Sequence, residues 1–311
     1  MRVLITGVSG FVGPWLAQAC ARRGDYVLGV SRSGRLDHSL GEGVVLDLRD
    51  APALTRLVTE LEPALIFHLA ALSHVGRSWQ DPAQTLDANV TGAVNLLEAV
   101  RVAAPEARIV WVSSGEIYGM DAQLPITEDA PLQPASPYAV SKAAGDMLAG
   151  VYAAAYGLDV IRARAFAHGG PGQNQIFLLS SIARQAAQAK RSGATELAIT
   201  TGNPGTRRDF TDVRDVVRGY LLLADPDVPA GIYNVCSGVA SSTAERVAAV
   251  AEAIAPLAVQ HVTDPALVRS HEVPEVRGSY ARLHAATGWE PEIPISQTVA
   301  DTIAWWDSEL A

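Results

Sequence analysis

The sequence predicts an α/β fold, a parallel sheet covered by helices on both faces and followed by a smaller, less regular C-terminal lobe. Short, continuously apolar runs recur through the first half of the chain, with amphipathic helical stretches between them. Strands that are apolar throughout belong to parallel sheets buried on both sides. The first run also ends in glycines at Gly7, Gly10 and Gly13, just ahead of a helical pattern. A strand feeding a helix through such a turn, repeated with right-handed crossovers, gives a doubly wound sheet of the Rossmann type.

Val3 to Thr6 reads as the first strand, and the helix after its glycine turn runs from about Phe11 to Arg22. Tyr26 to Ser31 and Val44 to Leu46 continue the strand series, and a helical segment comes next, from Pro52 to Glu60. Ala64 to Leu69 is the fourth strand, Ala83 to Ala103 the next helix, and Arg108 to Ser113 the fifth strand. Ser136-Pro137 supplies a hydroxyl N-cap and a proline at the first helical position, so a helix starts there. Val160 to Ala165 is the strand after it. Beyond about Phe166 the rhythm changes, because Gly169-Gly170-Pro171-Gly172, Gly202 to Gly205 and Pro226 to Pro229 interrupt the C-terminal half. The chain divides there into a first domain, 1–166, and a second lobe, 167–311. Part of that lobe, about 211–235 with the helix Val213 to Leu223, is expected to pack back on the first domain. A ligand crevice then lies at the carboxyl ends of the strands, between the lobes.

At 311 residues, with 49% hydrophobic and 18% charged, the chain can bury a substantial core. Its formal net charge of −9 argues against nucleic acid or an anionic membrane as partner. No apolar run reaches transmembrane length. Cys20 and Cys236 are the only cysteines and lie far apart, which favours a reducing, cytoplasmic setting over a disulfide framework. Met1-Arg2-Val3-Leu4-Ile5 already reads as strand, so no leader is expected. None of the seven histidines pairs at i, i+3 or i, i+4, and no metal site is expected.

The glycine turn marks the first domain as dinucleotide-binding. Gly7 permits the tight turn, Gly10 lets backbone amides approach a pyrophosphate, and Gly13 allows close packing of helix on strand. Phe11 and Val12 open the helix, whose N-terminus offers free N–H groups and a positive dipole end. A carboxylate closing the second strand would bind the adenosine ribose hydroxyls and select NAD. This chain instead offers Ser31-Arg32-Ser33-Gly34-Arg35. Guanidiniums bind phosphate bidentately, so Ser31, Arg32 and Arg35 suit a 2′-phosphate. NADP(H) is the expected cofactor and NAD(H) the alternative, with Asp47-Leu48 placed to meet the adenine.

Tyr138 and Lys142 stand four residues apart on the helix that Ser136 caps, and so share one face. A lysine beside a tyrosine stabilises the phenolate and lowers its pKa, giving an acid or base usable near neutral pH.

Together with His68-Leu69-Ala70-Ala71, Asn89 and Ser113-Ser114, these motifs resemble the extended short-chain dehydrogenase/reductases of the NAD-dependent epimerase/dehydratase type. The resemblance runs from Met1 to about Trp305. Ser73 to Trp79, Arg207 to Asp215, Tyr233 to Gly238, Glu272-Val273-Pro274 and Thr287 to Pro291 are similar to GDP-6-deoxy-4-ketomannose reductases, which make GDP-D-rhamnose. They are more distantly similar to GDP-mannose 4,6-dehydratases. The resemblance implies that Tyr138 donates a proton, Lys142 binds the nicotinamide ribose and Ser114 orients a carbonyl oxygen. It places Leu69, Ala70, Ala71 and Asn89 along the cofactor, and Ser73, His168, Arg208 and Arg269 at the substrate. Glu116 falls where the dehydratases carry the glutamate that removes the C5 proton, and Gly115 where dTDP-glucose dehydratases carry an aspartate.

The implied activity is hydride transfer from NADPH to the C4 ketone of a nucleotide-linked 4-keto-6-deoxy-hexose. A 4,6-dehydratase or C4 epimerase on the same scaffold is the alternative. A dinucleotide-sensing binding protein without chemistry would be expected to lose Ser114, Tyr138 or Lys142, and all three are present. Two positions depart from the family pattern. Ala167 replaces the Asn of Arg-Xaa-Phe-Asn-His, and Leu267-Val268-Arg269 keeps one of two expected basic residues. The helices at Ala83 to Ala103 and Pro137 to Tyr156 can pair with a second copy, so a homodimer is expected.

Overall fold

Seven parallel strands carry the larger part of the molecule, whose computed structural model describes residues 1–119, 122–268 and 273–311. The chain runs β1 (Arg2–Thr6), α1 (Val12–Arg22), β2 (Tyr26–Ser31), β3 (Glu42–Val45), α2 (Ala51–Leu61), β4 (Leu65–His68), α3 (Val75–Gln80), α4 (Pro82–Leu86), α5 (Gly92–Ala103), β5 (Arg108–Ser114), α6 (Pro137–Tyr156) and β6 (Val160–Ala165). It continues through β7 (Ala167–Gly169), α7 (Leu178–Arg191), β8 (Glu196–Thr201), β9 (Arg207–Asp212), α8 (Val213–Leu223), β10 (Gly231–Val235), β11 (Ala240–Ser242), α9 (Thr243–Ala253), β12 (Ala258–Thr263), β13 (Glu275–Val276), α10 (Ala281–Thr287) and α11 (Ile295–Glu309).

The sheet order is β10-β6-β5-β4-β1-β2-β3, and every pairing in it is parallel. Alternate residues of each strand enter different cores. Val3, Ile5, Val110 and Ile161 pack with residues of α1 and α8, whereas Leu4, Ile66, Ile109 and Trp111 pack with α2 and α5. All eight are at most 2% exposed. Each such side chain contributes about 1.5–3 kcal/mol by leaving water. The strand order reverses beside β1, so the crevice opens there at the carboxyl ends.

Helix α6 is held at its start and in its middle. The Ser136 hydroxyl accepts from the Ala139 amide at 3.1 Å, a cap worth about 1 kcal/mol. Gly145 lets the helix lie against Trp111, since a Cβ there would sit 3.3 Å from the indole. Asp146 is wholly buried and accepts from Arg164 of β6 at 2.8 and 3.1 Å. That ion pair fixes the helix against the strand and sets the height of Tyr138 and Lys142.

Two boundaries differ from the sequence expectation. The third strand runs Glu42–Val45, and the stretch Ala83 to Ala103 is not one regular helix. A π turn over Asp87–Thr91 separates α4 from α5. It holds Asn89 against the loop after β4, where Leu72 donates to its Oδ1 at 2.7 Å. Asn89 Nδ2 in turn donates to Ser141 Oγ of α6 at 2.8 Å. Such turns are frequent at functional sites, and this one serves to point a single amide inward.

In the C-terminal part, β9 pairs with β7, β11 and β13, while β8 and β12 form a parallel pair. Helices α7, α9 and α11 enclose a core that includes Leu179, Ile182, Val250 and Ile303. Segment β10 returns to the large sheet and α8 packs on α1.

Candidate active site

A cavity of about 1080 Å³ opens at the carboxyl ends of the strands, bordered by the β1–α1 turn, the ends of β2, β4, β5 and β6, and α6. All but two of the residues singled out from the sequence line it. Arg35 is exposed and does not line the cavity. Arg269 lies outside the described residues.

The glycine turn has the shape a dinucleotide needs. Gly7 adopts φ +76°, and a Cβ there would stand 2.7 Å from the Ala70 amide. A Cβ at Gly13 would meet the Val8 carbonyl at 2.1 Å, so only glycine lets α1 start this close to β1. No side chain caps the start of α1, which leaves its first amides facing the cavity as an anion site. These residues fit NADP(H) or NAD(H).

At the far end, Ser31 Oγ accepts from the Gly34 amide at 3.0 Å and shapes the loop that presents Arg32. The second guanidinium lining this end is Arg49, not Arg35. Arg49 bridges Asp47 at 2.7 Å and Asp87 at 2.8 Å. Its hydrogen bonds, with the charge of Arg32 beside them, hold the Asp47 carboxyl down at about 2. No sequence motif marks Arg49, because its role depends on Asp87, 38 residues away.

The reacting end is built on β5 and α6. Ser114 and Tyr138 are 7% and 9% exposed, and both line the cavity. Ser114 Oγ also accepts from the Glu116 amide at 3.2 Å. The Lys142 ammonium donates to the Val112 carbonyl at 2.5 Å. Burial lowers Lys142 to about 8, against the attraction of Asp146 one turn along. The sequence suggests that Lys142 lowers the phenol, and the structure corrects this. Burial pushes Tyr138 up to about 12, opposed by the Ser114 hydrogen bond and reinforced by the charge of Glu116. The cause is desolvation, which here outweighs any neighbouring cation. Tyr138 is therefore a proton donor at neutral pH. Behind it, His68 bonds Thr6 Oγ1 at 2.8 Å and lies 4.2 Å from the Trp111 ring. Burial, then Lys142, hold it neutral by lowering its pKa to about 3.

On the other wall, His168 bonds the Phe166 carbonyl at 2.9 Å and stacks on Phe11. Arg208 donates to the Val273 carbonyl at 2.9 Å while bordering the cavity. Ala167 borders it too, so the missing amide leaves a small side chain in its place. The glycine at 115 has a steric reason, because a Cβ there would press on the Phe166 ring at 3.0 Å. Trp15, Gln173, Phe177 and Tyr220 also line the cavity and had no motif to mark them. They converge from three separate segments, α1, the β7–α7 connection and α8, and only the fold brings them together.

The family model described as GDP-mannose 4,6 dehydratase matches residues 4–302. A GDP-6-deoxy-D-mannose reductase of Pseudomonas aeruginosa is 38% identical over 312 residues, covering 99% of this chain and 98% of that protein. A UDP-glucose 4-epimerase of Mycolicibacterium smegmatis is 32% identical over 323 residues, covering 98% of each. Among solved structures, RMD from Pseudomonas aeruginosa complexed with NADPH matches with a TM-score of 0.86 at 35% identity, over 99% of this chain and 100% of that one. The motif resemblance, the parallel-sheet fold and these end-to-end matches agree: the chain belongs to the GDP-mannose 4,6 dehydratase family.

Proposed function

We propose that this protein is an NADPH-dependent reductase of the C4 ketone of a nucleotide-linked 4-keto-6-deoxy-hexose, of the type that converts GDP-4-keto-6-deoxy-D-mannose to GDP-D-rhamnose. One observation carries the reading: Ser114, Tyr138 and Lys142 converge on one buried wall of the cavity, with the phenol protonated. The full-length similarity to a GDP-6-deoxy-D-mannose reductase and to an NADPH complex supports it.

NADPH, when bound, supplies the hydride. Tyr138 donates its proton to the oxygen of the reduced carbonyl, a transfer worth roughly 10²–10⁴ in rate when the donor is positioned. Ser114 holds the carbonyl oxygen in line with that proton. Lys142 binds the nicotinamide ribose. Arg32 takes the 2′-phosphate. Ser73, His168 and Arg208 face the nucleotide sugar, and residues 167–311 form the lobe that holds it, apart from the segment that returns to the sheet.

A 4,6-dehydratase remains the second reading, favoured by Glu116, which lines the cavity beside Tyr138. The glycine at 115 weighs against the version of that chemistry needing an acid there. We further propose a homodimer joined through α5 and α6, supported by the exposed apolar side chains Val102, Val140, Met147 and Val151. Among the described residues no helix is long and apolar enough to cross a membrane. A cytoplasmic location is part of the same proposal, supported by two buried free thiols, Cys20 and Cys236. The test is a panel of GDP-, dTDP-, UDP- and CDP-linked 4-keto-6-deoxy sugars with NADPH. The GDP-linked member should give the highest kcat/KM, and turnover of none of them would overturn the proposal.

A further inference from the structure

Six buried side-chain polar atoms among the described residues lack a hydrogen-bond partner: Arg108 Nε, Ser113 Oγ, Gln173 Oε1, Thr211 Oγ1, Tyr220 OH and Arg246 Nε. Three of them, on Ser113, Gln173 and Tyr220, belong to residues that line the cavity. An unpaired buried polar atom is costly, and native folds keep few of them. Those that border a ligand cavity have an evident partner, the ligand.

Tyr220 is the clearest case. It projects from α8 into the core beneath β6, packed in the same cluster as Ala163 and Ala165, and is 0% exposed. Burial raises its pKa well above the ordinary phenol value, with a smaller push from charge on Tyr138, and both tyrosines line the same cavity. Other tyrosines of this region have their hydroxyls answered by the fold. Tyr118 donates to Asn234 at 2.7 Å and accepts from Arg164 at 3.0 Å, and Tyr233 donates to the Pro229 carbonyl at 2.8 Å. Among the described residues Tyr220 has no such partner.

Position and chemistry narrow what the missing partner is. The substrate carbonyl is already answered by Ser114 and Tyr138. Tyr220 enters from α8 and lines the same cavity as Ser114 and Tyr138, where the nicotinamide end of a bound dinucleotide must reach if hydride and proton are to meet one carbonyl. The reactive ring carries a single hydrogen-bonding substituent, its carboxamide. We infer that the Tyr220 hydroxyl is a cofactor-positioning group that hydrogen-bonds the nicotinamide carboxamide and so fixes which face of the ring looks toward Tyr138. This rests on the reading of the cavity as an NADPH site.

The test is Tyr220→Phe, which removes the hydroxyl and keeps the ring. Binding of NADPH is measured by fluorescence titration, binding of adenosine 2′,5′-bisphosphate (which lacks the nicotinamide) by calorimetry, and melting of each protein with and without NADPH. The NADPH dissociation constant should rise roughly 3- to 15-fold, the worth of one neutral hydrogen bond. Affinity for the bisphosphate should not change. The variant alone should melt no lower than the parent, because its lost hydroxyl had no protein partner, yet NADPH should raise its melting temperature less. Unchanged NADPH affinity, or equal losses for both ligands, would overturn the inference while leaving the NADPH site standing. Failure of the parent itself to bind NADPH would overturn both.

Discussion

Replacing Tyr138 by phenylalanine takes away the one oxygen that the proposed mechanism makes the proton donor. The size of the effect is set by the environment of that oxygen. Burial sets the phenol at about 12. If water, with a pKa of roughly 16, must serve instead, the donor is weaker by about four units. With the proton about half transferred at the transition state, that difference costs about 10² in rate, or roughly 2.7 kcal/mol of barrier. The assay is single-turnover oxidation of NADPH at saturating keto sugar, with NADPH affinity measured separately. Turnover should fall about 100-fold or more, while the NADPH dissociation constant should move by less than about threefold. A variant that keeps more than a tenth of parental turnover would remove Tyr138 as the donor.

Other parts of the site carry their own expected outcomes. Arg32→Ala should weaken NADPH by about tenfold or more and leave NADH nearly unchanged, because only NADPH carries the 2′-phosphate; Arg35→Ala, outside the cavity, should do little to either, as paired titrations will show. Glu116→Gln should retain most reductase turnover, whereas near-complete loss would mark Glu116 as the base of a dehydratase. His68 titrates at about 3 in the folded chain against 6.5 normally, so only the unfolded chain takes up that proton as pH falls. Its contribution to stability is present above about pH 6.5 and is lost toward pH 3, by up to about 1.4 kcal/mol per unit. Denaturant unfolding across that range should show a shallower pH slope in His68→Asn.

The parallel sheet is readable from sequence because its strands are apolar throughout and its first turn needs glycine at 7 and 13. Helix α6 is readable from Ser136 and Pro137, which encode its start locally. The π turn at Asp87–Thr91 is not, because nothing in that stretch disfavours a regular helix. It is the demand of Asn89 for partners on Leu72 and Ser141, on other segments, that fits the extra residue. Arg35 and Arg49 make the same point at the site. Spacing along the chain favours Arg35, but the loop turns it outward, and Arg49 comes in through its bridge to Asp87. The direction of the Tyr138 pKa depends on how completely it is buried, which a helical spacing of four residues does not express.

The most direct test of the central claim is the stoichiometry of NADPH consumption. Purified protein given a GDP-linked 4-keto-6-deoxy-hexose should oxidise one NADPH for each sugar reduced at C4, and should leave GDP-mannose untouched. Formation of a 4-keto-6-deoxy sugar from GDP-mannose without net loss of NADPH would contradict the account and make the protein a dehydratase.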